Sequence, residues 1–234
     1  MMAMEQVLFT LSVLAPPVIL AITLHEAAHG FVAWRLGDDT AWLAGRVSFN
    51  PLKHIDPIGT IILPAVMALS THFLFGWAKP VPVNFGRLGN PRRDMVWVAL
   101  AGPGVNLALA LVSAALFHGL PWLPASMQEW AVTTLAISVQ INVILALFNM
   151  IPLPPLDGGR VAVGLLPLAL ARPLAAVEPY GMVLLLFVLF LLPVVGSQFG
   201  INLNLLPQVL GPAVATVSRF IGRLVGIDWL PGAD

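Results

Sequence analysis

Two histidines and a glutamate stand together at His25-Glu26-Ala27-Ala28-His29. On a helix, side chains four positions apart leave the same face one turn apart, so both imidazoles can hold one metal ion with Glu26 beside it. That arrangement suits hydrolysis: a metal polarises the substrate and acidifies a water, and a carboxylate takes the water proton. The five residues lie inside an apolar run, Val7 to Leu36, where an ionisable side chain is hard to bury and marks function by default. The bland alternative is a pair of histidines hydrogen-bonded inside a helix bundle. The lipid setting and the carboxylate between them favour a catalytic site.

Hydrophobic residues make up 59% of the 234-residue chain and charged residues 9%, with a mean hydropathy of +0.92. An ordinary soluble domain carries roughly 25% charged residues, so this composition indicates an integral membrane protein. The length suits one bundle of four to six membrane helices. A net charge of zero gives no reason to expect a nucleic-acid partner. Cysteine is absent, which removes disulfides, thiolate ligands and a thiol nucleophile, and leaves histidine and carboxylate as the available metal ligands. Met1 to Gln6 has no basic residue and leads into a segment too long for a signal-peptide core, so the first helix is expected to be retained.

The elements that must position the histidine pair can be read in order. Val7 to Leu36 is longer than the hydrocarbon core requires and contains Pro16 and Pro17, expected to kink it. His29 then lies in the membrane nearer the C-terminal end of that helix, and water must reach it from that side. Gly37 to Pro57 is polar, with Ala44 to Asn50 a possible short strand. Ile58 to Phe75 is apolar but flanked by basic residues and by Pro57, Pro64 and Gly76, which suggests a segment that enters and returns; a simple crossing is the alternative. Further spans are expected at Met95 to about Phe117, Trp130 to Asn149 and Tyr180 to Val195. Gly158 to about Ala171 should form a helix between the last two. Seven of the eleven basic residues, Arg35, Arg46, Lys53, Lys79, Arg87, Arg92 and Arg93, fall between the end of the first helix, where Arg35 stands, and Met95. By the positive-inside tendency that stretch is cytoplasmic, and the His118 to Glu129 loop, which has no Lys or Arg, is outside.

After residue 206 the pattern changes. Leu210, Val214, Val217, Ile221 and Leu224 recur at helical spacing, with Arg219 and Arg223 off the stripe. Residues 1–206 are therefore expected to form the membrane domain, and 207–234 an amphipathic helix on the membrane surface. The fold class expected is an all-α polytopic membrane protein with a small β element and a C-terminal amphipathic helix.

Two histidines leave a catalytic zinc one protein ligand short of the usual three. Asp157 is the best candidate for the third, because the preceding span returns its end to the right side and the prolines at 152, 154 and 155 free the backbone to turn it inward. His54, His72 and His118 compete less well: the first two lie in or beside loops and the third on the opposite face. Asp157 could instead cap the helix that opens at Gly158, and one oxygen would not easily serve both roles. With zinc in place, Glu26 would take the water proton and pass it to the leaving amine. Asn149 could donate to the oxyanion. Asn106 is a second possibility, though a helix-to-helix hydrogen bond fits it better. Trp77 to Asn84, with prolines at 80 and 82, cannot be helical. It reads as an edge strand able to pair with an unwound substrate, or as a plain connecting loop.

Three signatures occur in order: His25-Glu26-Ala27-Ala28-His29 in an early helix, Ala101-Gly102-Pro103-Gly104-Val105-Asn106, and Asn149-x-x-Pro152-x-x-x-x-Asp157-Gly158. Together they resemble the site-2 protease family of intramembrane zinc metalloproteases, which cut transmembrane segments of membrane proteins. The tract Phe75 to Asn84 resembles the compact bacterial and archaeal branch without PDZ or CBS domains. Phe85 stands where related chains often carry proline. The resemblance covers roughly residues 18 to 170. It implies one zinc ion on His25, His29 and Asp157, with Glu26 as catalytic acid and base and Asn149 as a site residue. It also implies a transmembrane protein as substrate, and a site facing the cytoplasm of a bacterial or archaeal cell membrane. A metal transporter using the same ligands, and a proteolytically inert scaffold, are the competing classes. Glu26 separates the first from a protease, because transport does not need a base beside the metal.

Overall fold

The computed structural model describes residues 2–63, 66–67 and 76–227. The first helix, α1 (Met2–Arg35), runs unbroken past Pro16 and Pro17. A short helix α2 (Thr40–Leu43) follows, then α3 (Pro91–Leu116), α4 (Ala125–Asn149), α5 (Asp157–Leu165) and α6 (Leu168–Ala175). The last three are α7 (Glu178–Leu186), α8 (Leu192–Gln198) and α9 (Leu205–Val225). Among the described residues, four helical stretches are long and apolar enough to cross a membrane: Met4–Arg35, Pro91–Trp122, Ala125–Asn149 and Glu178–Gln198. These coincide with the four clear spans expected from the sequence.

The packing is that of a protein solvated by lipid. Alanines 21, 33, 110, 114, 131 and 146 are buried, while Leu8, Leu11, Ile19, Phe31, Trp97, Val112 and Tyr180 face outward. Between helices in lipid there is little hydrophobic driving force, so small residues that let backbones approach are placed inside. α1 and α3 pack antiparallel: His29 meets Val98, and His25 meets Asn106. α4 completes the layer. Ala110 and Ala114 of α3 and Phe117 just beyond it pack with Val139 and Val143 of α4 and with Leu210, Val214 and Ile221 of α9. In α9, Leu210, Val214, Val217 and Ile221 of the predicted stripe lie against this cluster and Leu224 is exposed. The helix stops at Gly226 in the left-handed conformation (φ 72°).

Two sequence expectations are corrected here. Among the described residues there is no strand, so the small β element is not seen in them. Ala44 to Asn50 turns instead: Gly45 is left-handed (φ 63°), Arg46 N–H donates to the Ala41 carbonyl, and Asn50 Oδ1 accepts from Leu52 N–H. Local partners have taken the donors a ladder would need. The second correction concerns the predicted helix from Gly158 to Ala171. It breaks at Leu166, ahead of Pro167, because a residue before proline is pushed out of the helical region. Of the predicted re-entrant segment, residues 64–65 and 68–75 lie outside the described residues, as does His72. Its beginning, Pro57–Ile62, is a π-helical turn capped by Asp56, whose carboxylate accepts from Ile58 and Gly59 N–H.

Candidate metal centre

α1 carries both histidines on the face turned toward α3 and α5, and their Nε2 atoms lie 3.0 Å apart. Asp157 reaches them from the far end of α4. After Asn149 the chain makes a proline-rich return, and Asp157 is the first residue of α5. Its Oδ2 stands 3.2 Å from His25 Nε2 and 3.4 Å from His29 Nε2. The return is compact because glycine is required on both residues that follow: a Cβ on Gly158 would collide with the Met150 carbonyl, and one on Gly159 with the backbone at Pro154. The N-cap of α5 is Leu156 and Asp157 is already its first helical residue, so Asp157 does not take the capping position considered for it. Its Oδ2 is buried and accepts no hydrogen bond.

Three basic atoms thus converge, all within 4.8 Å of one another. With no proton on either Nε2, such a set is repulsive until a cation joins it. Two imidazole nitrogens and a carboxylate oxygen make the donor set that catalytic zinc accepts, with a further coordination position left for water or substrate. Outer partners hold both rings: His29 Nδ1 donates to the Val98 carbonyl at 2.7 Å, and His25 Nδ1 lies 2.6 Å from Asn106 Oδ1. The space itself depends on Gly102, to which sequence reasoning gave no role. A Cβ there would stand 2.5 Å from Nε2 of each histidine. The available signal was a helix-weakening glycine pair around a proline in the middle of an apolar span.

Glu26 lies beside the pair, and its Oε2 accepts from Val81 N–H at 2.8 Å. Val81 belongs to the tract 77–84, four of whose N–H groups are used inside the protein. Trp77 donates to Gly59 O, Lys79 to His54 O and Asn84 to Asp38 Oδ2. Pro80 and Pro82 have none to offer. Arg46 further fixes the tract by donating to the Lys79 carbonyl. Asp38 is fully buried and accepts from Thr40 N–H and hydroxyl as well as from Asn84. Burial pushes its carboxyl up, but those donors and the nearby Arg87 outweigh it and hold the group below the usual carboxylate range.

Between the tract and the helices lies a cleft of about 310 Å³, lined by Glu26, the histidines and Asp157 together with Trp77, Pro80, Val81, Phe148 and Asn149. Asn149 is therefore at the site, with one amide proton donated to the Leu145 carbonyl of its own helix. Asn106 is not turned to the cleft; it bridges α1, α3 and α4. His54 and His118 are elsewhere, with Nε2 against the carbonyls of Ser48 and Val225 respectively.

A bundle of apolar helices enclosing a His-Glu-x-x-His pair and a converging aspartate defines a membrane-embedded metallohydrolase, and the comparisons with known proteins agree. The sequence profile of Peptidase family M50 matches residues 124–193, a stretch that holds Asn149 and Asp157. "Putative zinc metalloprotease YwhC" of Bacillus subtilis (strain 168) is 40% identical over 180 residues, 75% of this chain and 78% of that protein. "Putative zinc metalloprotease Rip2" of Mycobacterium tuberculosis (strain H37Rv) is 33% identical over 182 residues, 77% of this chain and 67% of that protein. "Putative zinc metalloprotease MJ0611" of Methanocaldococcus jannaschii is 32% identical over 140 residues, 58% of this chain and 62% of that protein. No solved structure matches the chain. The chain belongs to peptidase family M50, the site-2 proteases, and is a zinc metalloprotease of the membrane.

Proposed function

We propose that the protein is an intramembrane endopeptidase that hydrolyses peptide bonds within or beside transmembrane segments of other membrane proteins. The observation that carries this reading is the convergence of His25, His29 and Asp157 within 4.8 Å, on a helix that is long and apolar enough to cross the membrane, beside a carboxylate and an open cleft. His25 and His29 from α1 and Asp157 from α5 would hold the zinc. Bound there, zinc supplies a Lewis acid for the scissile carbonyl and a water acidic enough to react near neutral pH.

The chain's own groups do the rest. Glu26 takes the water proton and delivers it to the leaving amine, and so returns to its carboxylate form. Val81 N–H holds one carboxylate oxygen and leaves the other to face the water. Asn149 has a second amide proton beyond the one given to Leu145, and this donates to the developing oxyanion. A substrate helix must unwind before attack, since its carbonyls are shielded by their own hydrogen bonds. In the tract, the N–H groups of residues 77, 79 and 81 are taken by Gly59, His54 and Glu26, and alternation along an extended chain puts them on one edge. The opposite edge presents the carbonyls of Ala78, Pro80 and Pro82, which accept main-chain N–H groups of an extended substrate by strand addition. The basic residues flanking the metal-side ends of α1 and α3 support an active site that faces the cytoplasm of a bacterial or archaeal cell membrane.

The test compares wild type with Glu26→Gln on model transmembrane substrates, with metal analysis of both proteins. The reading requires zinc in both, cleavage by wild type, and a loss of at least about 100-fold in the variant. Wild-type protein that binds no zinc, or a Glu26→Gln variant that still cleaves, would overturn it.

A further inference from the structure

A histidine can bind a metal through Nε2 only if its ring proton sits on Nδ1, so whatever faces Nδ1 decides whether the ligand is ready. For His29 a main-chain carbonyl, that of Val98, faces Nδ1, and it can only accept. His25 has no such carbonyl. Its Nδ1 faces the side-chain amide of Asn106, a group that donates from one end and accepts at the other. With the oxygen toward the ring, His25 presents a lone pair to the metal; with the nitrogen toward it, the ring proton moves to Nε2 and the ligand is lost.

What prevents that reversal is a chain of polarity that begins on α4. Asn142 of α4 is 1% exposed and Asn106 is 0% exposed, so water cannot re-satisfy either amide. Asn142 Nδ2 lies 2.9 Å from the Ser138 carbonyl, which admits only a donor. Its oxygen must therefore face Asn106, and Asn106 Nδ2 donates to it at 2.8 Å. The same Asn106 nitrogen meets a second acceptor-only group, the Ala21 carbonyl, at 3.3 Å. Both neighbours force the Asn106 oxygen toward His25, at 2.6 Å. We propose that Asn142, acting through the orientation of the Asn106 amide, sets the tautomer of His25 that can bind the metal, and so is a positioning residue of the zinc site.

This inference rests on His25 being a zinc ligand, but its readout does not depend on catalysis. In zinc-free protein labelled with 15N-histidine, at a pH above the imidazole range, wild-type His25 should show its proton on Nδ1 alone. In Asn142→Leu a population protonated on Nε2 should appear, and zinc affinity should fall about 10-fold or more. The double variant Asn106→Asp/Asn142→Leu separates orientation from packing. A carboxylate at 106 accepts from Nδ1 whichever way it turns, so removing Asn142 in that background should change neither the tautomer nor zinc affinity relative to Asn106→Asp alone. An equal loss in both backgrounds would mean that Asn142 only holds α3 to α4, and would overturn the proposal. Should Asn142→Leu fail to fold, wild type alone decides: a zinc-free His25 protonated on Nε2 is incompatible with the chain of polarity. Wild type that binds no zinc yet shows Nδ1 protonation would count against the protease reading and leave the tautomer mechanism standing.

Discussion

Val81 and Glu26, 55 residues apart in sequence, are joined by a hydrogen bond of 2.8 Å from the backbone N–H of one to the carboxylate of the other. The segment proposed to meet substrate therefore also orients the proposed base. Replacing Val81 by proline removes that donor in a tract already extended between two prolines. A hydrogen bond to a charged group is worth about 1.5–3 kcal/mol, so kcat should fall roughly 10- to 100-fold while zinc content stays at the wild-type level. Unchanged turnover would show that Glu26 needs no such support.

Gly102 is the point at which α3 makes room for both imidazoles, since a Cβ would come within 2.5 Å of each Nε2. Gly102→Ala should weaken zinc binding by more than about 10-fold, and helix propensity, which favours alanine, cannot explain a loss. Zinc titration of purified protein measures it. Retained affinity would mean that the helices shift apart without disturbing the ligands.

Removing zinc should lower thermal stability as well as activity. A cation held by His25, His29 and Asp157, whose donor atoms lie within 4.8 Å of one another, binds only the folded chain. A ligand at 1,000 times its Kd stabilises the native state by about 4 kcal/mol. Unfolding in detergent with and without a chelator, and again after zinc is restored, should show a reversible drop in the transition temperature. Identical curves would place zinc elsewhere or nowhere.

Asp38 ties the extended tract to the end of α1 through Asn84 N–H. Its carboxyl is held below the usual range in the folded protein, so the stabilisation it supplies is complete above the ordinary aspartate value of about 3.9 and is lost as pH falls through the lowered folded value. Hydrogen-exchange protection of the Asn84 amide, normalised to a distant helix amide, should hold to below about pH 4 and then decline. The substitution Asp38→Asn should lower that protection at neutral pH. Release already at about pH 5, a unit above the ordinary value, would contradict the tether.

Arg160 and Glu178 form an ion pair at 3.2 Å in which the side chains are 33% and 46% exposed, and the guanidinium also lies over the Phe85 ring. Exposed pairs contribute about 0–1 kcal/mol. Glu178→Gln should therefore leave the unfolding midpoint nearly unchanged, and a large drop would indicate that α7 depends on this contact for docking.

Much of this molecule follows from local properties of the chain. The four spans are runs of apolar residues of about the length a bilayer needs, and the histidine pair is a spacing of four within one of them; neither depends on what packs beside it. Asp157 was reachable by a parity argument, since a span that returns delivers its end to a known side. The partners of these residues were not legible. That Gly102 faces the imidazoles, that Asn106 bridges three helices and does not face the cleft, and that Asn142 stands behind it all depend on the register in which α1, α3 and α4 lie together. Close approach of small residues sets that register, and an alanine facing a neighbour looks the same in sequence as one facing lipid. The tract 77–84, which reads in sequence as an edge strand or a plain loop, was open for a related reason. Its alternating prolines describe an edge strand, but the acceptors that took its N–H groups, Gly59, His54, Glu26 and Asp38, lie between 18 and 55 residues away, and only the folded chain brings them to it.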